Sequence, residues 1–267
     1  MVYWDADVRK DLLVGEAYGK IKLFLNIGTD AEPTFDGGTF LQVGPTGSKT
    51  DIDVGDRATL AVVDWNNDGM KDLVAGATDA KIRVYLNEGT DTAPDFLSVQ
   101  FAQAYGSDLV VPPSRSSPVV ADLDGDGKKD LLAGNYSGEL LFYSNTGIDA
   151  APSFSDYSFV ESDGVPIDLP SSPRSRPSVC DWTGDDVPDV LIGAYDGNVH
   201  LYEGVRMPGD FDGDGNVDLD DHAGFVGCLS GPDVVAPTEL CREAFDFDFD
   251  SDVDLEDFGE FEMEFAE

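Results

Sequence analysis

The chain repeats itself about every 60 residues, and this restricts its fold more than any other feature. Aligned on Asp11, Asp72, Asp130 and Asp189, which lie 61, 58 and 59 residues apart, it gives KDLLVGEAYGKIKLFLNIG, KDLVAGATDAKIRVYLNEG, KDLLAGNYSGELLFYSNTG and PDVLIGAYDGNVHLYEG. Three copies continue as GTDAEPTF, GTDTAPDF and GIDAAPSF. Self-similarity at a fixed period means that one supersecondary unit is stacked several times over.

Each copy has the pattern of β structure. An apolar run such as Leu12-Leu13-Val14 meets a short turn, and an alternating strand such as Lys20-Ile21-Lys22-Leu23-Phe24-Leu25 follows. Gly19, Gly138 and Gly197 suit tight hairpins there. A further β-rich stretch comes next (Phe96-Leu97-Ser98-Val99), then an apolar strand leading onward (Leu60-Ala61-Val62-Val63; Val119-Val120-Ala121). Val2-Tyr3-Trp4 reads as such a strand too. Solenoid repeats are usually shorter, and a sandwich does not repeat its sequence. Four strands per repeat therefore predict an all-β propeller over residues 1–205, with about four visible blades. Four can close a ring, but the first copy begins inside a strand and the fourth stops after Leu201-Tyr202. The expectation is that these belong to a larger propeller, with blades and an export signal upstream of Met1.

Charge narrows the partners. The formal net charge is −38, from 54 Asp and Glu against 16 Lys and Arg. Nucleic acid and anionic lipid would be repelled, and no apolar run is long enough to span a membrane. Acidity for solubility alone would scatter the charge, whereas here it falls at fixed spacings. Before each aligned aspartate lies a nine-residue loop: DWNNDGMKD over 64–72 and DLDGDGKKD over 122–130. Both carry oxygen ligands at positions 1, 3, 5 and 9 and Gly at position 6. Ca²⁺ wants six to eight oxygens from a loop that curls around it. Asp64, Asn66, Asp68 and Asp72 would supply side chains, with the Met70 carbonyl. Asp122, Asp124, Asp126 and Asp130 would do so with the Lys128 carbonyl. The alternative is an Asp- and Gly-rich turn without an ion. The fourth loop keeps Asp181, Asp185 and Asp189 but has Thr183 and Asp186 at positions 3 and 6. The first has lost its leading acid to Tyr3 and its Gly to Val8, and is not expected to bind.

These loops resemble the FG-GAP (VCBS-type) repeats of integrin-α-like propellers, in which a calcium loop joins the first two strands of a blade. The resemblance implies an extracellular propeller used for structure, adhesion or ligand display. An arginine also recurs seven residues before each loop: Arg57, Arg115 and Arg174. An ion pair with a neighbouring blade is the favoured reading, a ligand-facing ring the sharper one. Tyr18, Tyr136 and Tyr195 recur near the hairpins, where packing between blades is the commoner use.

Residues 206–267 change character, with 20 acids and two bases. DFDGDGNVDLDD (210–221) and DFDFDSDVDLED (246–257) agree at eight of twelve positions. Both approach the EF-hand loop, whose ligands sit at 1, 3, 5, 7, 9 and 12 with Gly at 6. Gly215 holds the sixth place in the first; Ser251 stands there in the second, which should be weaker. Met207-Pro208-Gly209 cannot form an entering helix. Helices are expected after the loops, over 220–226 and 256–265, joined by Phe225, Phe258, Phe261 and Phe265. A duplicated loop–helix pair of this kind resembles a type I dockerin. The resemblance implies a small α-helical domain over 206–267 with calcium at Asp210, Asp212, Asp214, Asn216, Asp218 and Asp221, and at Asp246, Asp248, Asp250, Asp252, Asp254 and Asp257. It also implies docking onto a cohesin-like module, although Leu219-Asp220 and Leu255-Glu256 replace the Ser-Thr type of recognition pair. Cys228 and Cys241 bracket the segment between the loops and could staple it. Such a bond fits an oxidising, secreted setting. Cys180, in an apolar strand, is expected as a buried thiol.

No Ser–His constellation, phosphate loop or acid pair outside the metal loops is present, so the leading expectation is a non-catalytic extracellular protein that displays or binds a ligand. A glycan-binding propeller is the second reading. The third is an accessory fragment of a polysaccharide-degrading enzyme whose catalytic domain lies outside this chain.

Overall fold

The computed structural model describes residues 2–5, 7–162, 164–169, 173–184, 187–205, 208–211, 217, 219–232 and 234–264. Most of the repeats form one compact unit; the segment from Tyr202 forms a second, together with Asp122–Asp126 and Cys180–Val190 of the repeats.

The second and third repeats each form a four-stranded antiparallel meander. In the second the strands are β6 (Thr59–Val63), β7 (Asp72–Gly76), β8 (Ile82–Tyr85) and β9 (Gln100–Phe101). The third has β12 (Ser117–Ala121), β13 (Asp130–Gly134), β14 (Leu140–Tyr143) and β15 (Ser158–Phe159). The first has three, β1 (Leu12–Gly15), β2 (Ile21–Phe24) and β3 (Thr39–Phe40), and the fourth has β18 (Arg176–Cys180), β19 (Asp189–Gly193) and β20 (Val199–Tyr202). In the first repeat a lone Val2–Asp11 bridge stands where the leading strand was expected. This is a propeller-like array of sheets, as the periodicity predicts. The fourth strand begins later than expected, at Gln100 rather than Phe96. Short hairpins unforeseen from the pattern follow it: β4 (Gln42–Val43) with β5 (Thr50–Asp51), β10 (Gln103–Ala104) with β11 (Ser107–Asp108), and β16 (Glu161–Ser162) with β17 (Val165–Pro166).

Neighbouring repeats lock through backbone contacts that explain two sequence signatures. The glycine ending β1, β7 and β13 lies against the next repeat. A Cβ on Gly76 would come 2.3 Å from the Ser116 carbonyl oxygen, and one on Gly134 equally close to that of Ser175. The Phe of the PxF motif reaches backwards: Phe96 and Phe154 form parallel bridges with Val43 and Ala104 of the preceding hairpins. Both phenylalanines are fully buried. Trp4 joins the cluster containing Phe96, and Trp65 lies 6.0 Å from Phe154. β7 and β13 are therefore buried at every residue, whereas β18 and β20 alternate. Trp182, the fourth counterpart of Trp65, is 63% exposed. Cys180 is exposed as well, not buried: β18 lacks the covered faces of β7 and β13.

The C-terminal unit carries three helices, α1 (Leu219–Cys228), α2 (Glu239–Phe245) and α3 (Leu255–Glu264). α1 and α3 follow the acidic loops as expected. α2 was not expected: the loop–helix pattern placed helices only after the loops, and α2 enters the second one. The Thr238 side chain caps it by accepting from the Cys241 N–H at 3.0 Å, and it ends where the second loop begins. The core is aromatic: Phe225 stacks on Phe261 at 5.2 Å, and Phe245 meets both edge-on. Phe265 lies outside the described residues. Cys228 and Cys241 are joined, tying the end of α1 to α2.

Candidate metal centres in the acidic loops

The loop 64–72 is closed at its base by the paired residues Val63 and Asp72. Within it the carboxylates organise the chain by accepting backbone N–H bonds. Asp64 accepts from Asp68 (3.1 Å) and Gly69 (2.8 Å), Asn66 from Asp68 (3.2 Å), and Asp68 from Met70 (2.8 Å). The side chains at positions 1, 3 and 5 are thereby turned into one curl. Asn67 and Gly69, at positions 4 and 6, take positive φ of 59° and 85°. Gly adopts that conformation without strain and Asn tolerates it better than most residues.

The twelve-residue loop 246–257 is wired identically over its first seven positions. Asp246 accepts from Asp250 and Ser251, each at 3.0 Å, Asp248 from Asp250 at 3.1 Å, and Asp250 from Asp252 at 3.0 Å. Positions 4 and 6 again take positive φ, here Phe249 at 62° and Ser251 at 78°. Oxygens of Asp246, Asp248 and Asp250 lie within 4.8 Å of one another, as do those of Asp252, Asp254 and Asp257. The Asp248 carboxyl is pushed above its ordinary range by partial desolvation and by the charges of Asp250, Asp257 and Asp246, against the pull of the Asp250 N–H.

Loop 122–130 shows the same positive φ at Gly125 and Gly127, both 77°, and draws Asp122, Asp124 and Asp130 within 4.8 Å. In 64–72, where Asn66 replaces the carboxylate at position 3, no three acidic groups come as close among the described residues. In 181–189, Asp181 accepts from Gly184 at 2.6 Å, while Asp185 lies outside the described residues. Of 210–221, Asp210 and Asp221 are described and buried. Asp212, Asp214, Asn216 and Asp218 lie outside the described residues.

The last aspartate of each loop has a second task that its place in a ligand pattern conceals. Asp72 is fully buried and accepts from the Trp65 N–H at 2.9 Å and the Asn87 N–H at 2.7 Å. Asp11 does the same with Trp4 and Asn26, both at 2.9 Å, and Asp189 with Trp182 (2.7 Å) and Gly204 (2.8 Å). In the C-terminal unit Asp221 accepts from Phe211 at 2.6 Å and Asp257 from Phe247 at 2.8 Å. In each case the donor at position 2 fixes where the loop returns. Burial raises the Asp72 carboxyl, helped by Asp68 and Asp64 and opposed by its two backbone donors. For Asp189 the Gly204 N–H dominates and holds it low. A carboxylate oxygen accepts more than one bond, so these contacts leave room for a cation.

Sequence reasoning missed the asparagines that brace the GTD motifs. Asn87 Oδ1 accepts from Gly89 and Asp95, both at 3.0 Å, and Asn145 and Asn26 repeat the pattern. Their recurrence as LN or SN before xG was the available signal. The expected ion pairs of the recurrent arginines are not formed. Arg57 reaches only its neighbour Asp56, at 3.9 Å, and neither Arg115 nor Arg174 has a carboxylate within 4.0 Å among the described residues.

A family model described as an FG-GAP-like repeat matches residues 64–133 and 122–192. The second and third repeats are FG-GAP-like repeats. Among solved structures, the chain is similar to the Tc holotoxin pore of Photorhabdus luminescens carrying the TccC3-D651A mutation, with 16% identity and a TM-score of 0.40. The match covers 72% of this chain and 8% of that one, and it is too distant to bear on function. No helix is long and apolar enough to cross a membrane among the described residues.

Proposed function

We propose that this chain is a non-catalytic extracellular protein whose acidic loops hold Ca²⁺, with FG-GAP-like repeats that present a ligand and a C-terminal dockerin-like unit that attaches to a cohesin-like module. The observation carrying this reading is the shared wiring of 64–72 and 246–257. Two unrelated frames, one of strands and one of helices, hold the same curl of carboxylates with the same φ signature. Oxygen-rich curls of this kind suit a hard divalent ion. Crowded carboxylates repel by about 1 kcal/mol per close pair in water and more near a protein surface, and a bound cation turns that cost into attraction. Asp64, Asn66, Asp68 and Asp72 would hold one ion, Asp122, Asp124, Asp126 and Asp130 a second, and the twelve-residue loops two more, with 181–189 the weakest candidate. The Cys228–Cys241 bond supports an oxidising compartment.

Titration of metal-stripped full chain with Ca²⁺ in a calorimeter tests the reading. Uptake is expected, reduced in D122N/D124N and in D246N/D250N by separate sites. No heat at millimolar Ca²⁺ overturns it. Capture of the chain by a purified cohesin module in Ca²⁺ but not in EGTA tests the docking role.

A further inference from the structure

The recurrent arginines, of which only Arg57 has a carboxylate (Asp56) within 4.0 Å among the described residues, line one crevice. Arg57, Arg115, Arg174 and Arg176 border a solvent-open crevice enclosing about 20 Å³, room for one small polar group rather than a whole ligand. Each of the first three immediately precedes or nearly precedes a leading strand (β6, β12 or β18), whose other end carries an acidic loop. At 3.3 Å per residue, the seven-residue spacing places guanidinium and carboxylate ends roughly 20 Å apart. These arginines are thus held apart from the acidic loops, whereas Lys20, Lys71, Lys81 and Arg83 pair with aspartates.

Their conformation is costly. Arg57, Arg115 and Arg174 all take positive φ, at 56°, 61° and 79°. Such strain in a non-glycine residue persists where the surroundings enforce it, and it clusters at functional sites. Here the backbone N–H of each donates to the preceding repeat, to Ala17, Thr78 and Tyr136 respectively, at 3.0 to 3.2 Å. Glycine would satisfy this corner better. The side chains therefore serve something other than the turn. Arg115 lies 4.9 Å from the centre of the Tyr136 ring and Arg174 4.4 Å from that of Tyr195. Both tyrosines are exposed; Tyr136 also lies 5.6 Å from Arg174 of the next repeat, in keeping with the expected contact between blades, while Tyr18, one register out of step, faces solvent with no arginine over its ring among the described residues. The mutual charge of Arg174 and Arg57, after desolvation, pulls Arg115 below its ordinary pKa. Asp56 meets Arg57 and Glu139 is held by Asn135, but among the described residues no carboxylate lies within 4.0 Å of Arg115 or Arg174, and like charges so gathered call for an anion.

We propose that this crevice is a binding subsite for the carboxylate or sulfate of an acidic oligosaccharide, with the guanidinium edges on the oxyanion and the tyrosine flanks against the sugar. The planar fork of arginine pairs with such oxygens in bidentate fashion, and a chain of net charge −38 would bind a polyanion only through a focused patch of this kind. The proposal rests on, and deepens, the reading of the repeats as a ligand-presenting unit.

The test is calorimetry of the Ca²⁺-loaded full chain with trigalacturonic acid, a sulfated disaccharide and neutral maltotriose. Either or both acidic probes should bind, and maltotriose should not. R115G/R174G separates binding from structure, because glycine relieves the positive φ. Loss of each guanidinium contact should weaken binding by about tenfold, while the melting temperature holds or rises. A merely structural arginine would give the reverse, a lower melting temperature and unchanged affinity. No binding of either acidic probe at millimolar concentration overturns the proposal, as does equal binding by the variant or stronger binding of an oligo-aspartate peptide. Calcium uptake measured on the same sample separates the two readings: uptake with no anion binding sinks this inference alone, and anion binding without uptake sinks only the calcium assignment.

Discussion

Loops 64–72 and 246–257 make the same four backbone bonds to their first three oxygen-bearing side chains, yet they hang from very different frames. The first is clamped between two five-residue strands in a sheet locked to its neighbours through Gly76 and Phe154. The second joins a seven-residue helix to a ten-residue one, in a unit whose core is a handful of phenylalanines and one disulfide. The comparison teaches that the curl is a local device, set by which carboxylate accepts which N–H. The frame decides how far the fold depends on neutralising that curl. In the repeats, strand pairing closes the loop whether or not an ion is present. In the C-terminal unit the loops supply much of the structure, and fixing about 60 residues costs more conformational entropy than so small a core offsets comfortably.

The largest effect should come from chelation. EGTA should abolish most of the helical circular dichroism and open residues 206–267 to protease, while 1–205 stay resistant, because metal binding there is largely folding free energy. Loss of both units together, or of neither, breaks the comparison.

Next comes the loop-closing aspartate. Asp11→Ala and Asp72→Ala each strand two buried N–H donors, at about 1–3 kcal/mol per donor. Both should destabilise the repeats by several kcal/mol in denaturant titration, and Asp11→Ala should do so equally in Ca²⁺ and in EGTA, since its loop has Tyr3 in place of the leading ligand. A calcium-dependent cost for Asp11→Ala would show that this residue acts through an ion after all.

Much of this was legible in the sequence. The period of about 60 residues gave the sheets, and the Asp or Asn at loop positions 1, 3 and 5 gave the curls, because repeats and short loops are local and fixed by composition. What escaped were features needing a partner from elsewhere. Asp72 reads as a ninth ligand, and only the fold shows its carboxylate accepting from Trp65 and Asn87. Arg115 reads as half of an ion pair, and only the fold shows that among the described residues no carboxylate comes within 4.0 Å of it. Cys180 looks core-like by its neighbours, but burial is a property of the covering repeat. Helix α2 was legible and overlooked: Thr238 as cap, then Cys241, Ala244 and Phe245 at helical spacing, all buried.

The smallest effect is the sharpest test of the curl as a transferable device. Position 6 is Gly69 in one loop and Ser251 in the other, at φ of 85° and 78°. A left-handed conformation costs a non-glycine residue about 1–2 kcal/mol, and glycine gives back roughly half through the freedom it adds to the unfolded chain. Ser251→Gly should therefore stabilise the C-terminal unit by up to about 1 kcal/mol in Ca²⁺, and Gly69→Ser should cost the repeats a similar amount. Equal and opposite shifts in the two denaturation midpoints mean that the turn carries its energetics with it into either frame. A cost at Gly69 with no gain at Ser251 means instead that the helical frame has already relaxed around its serine.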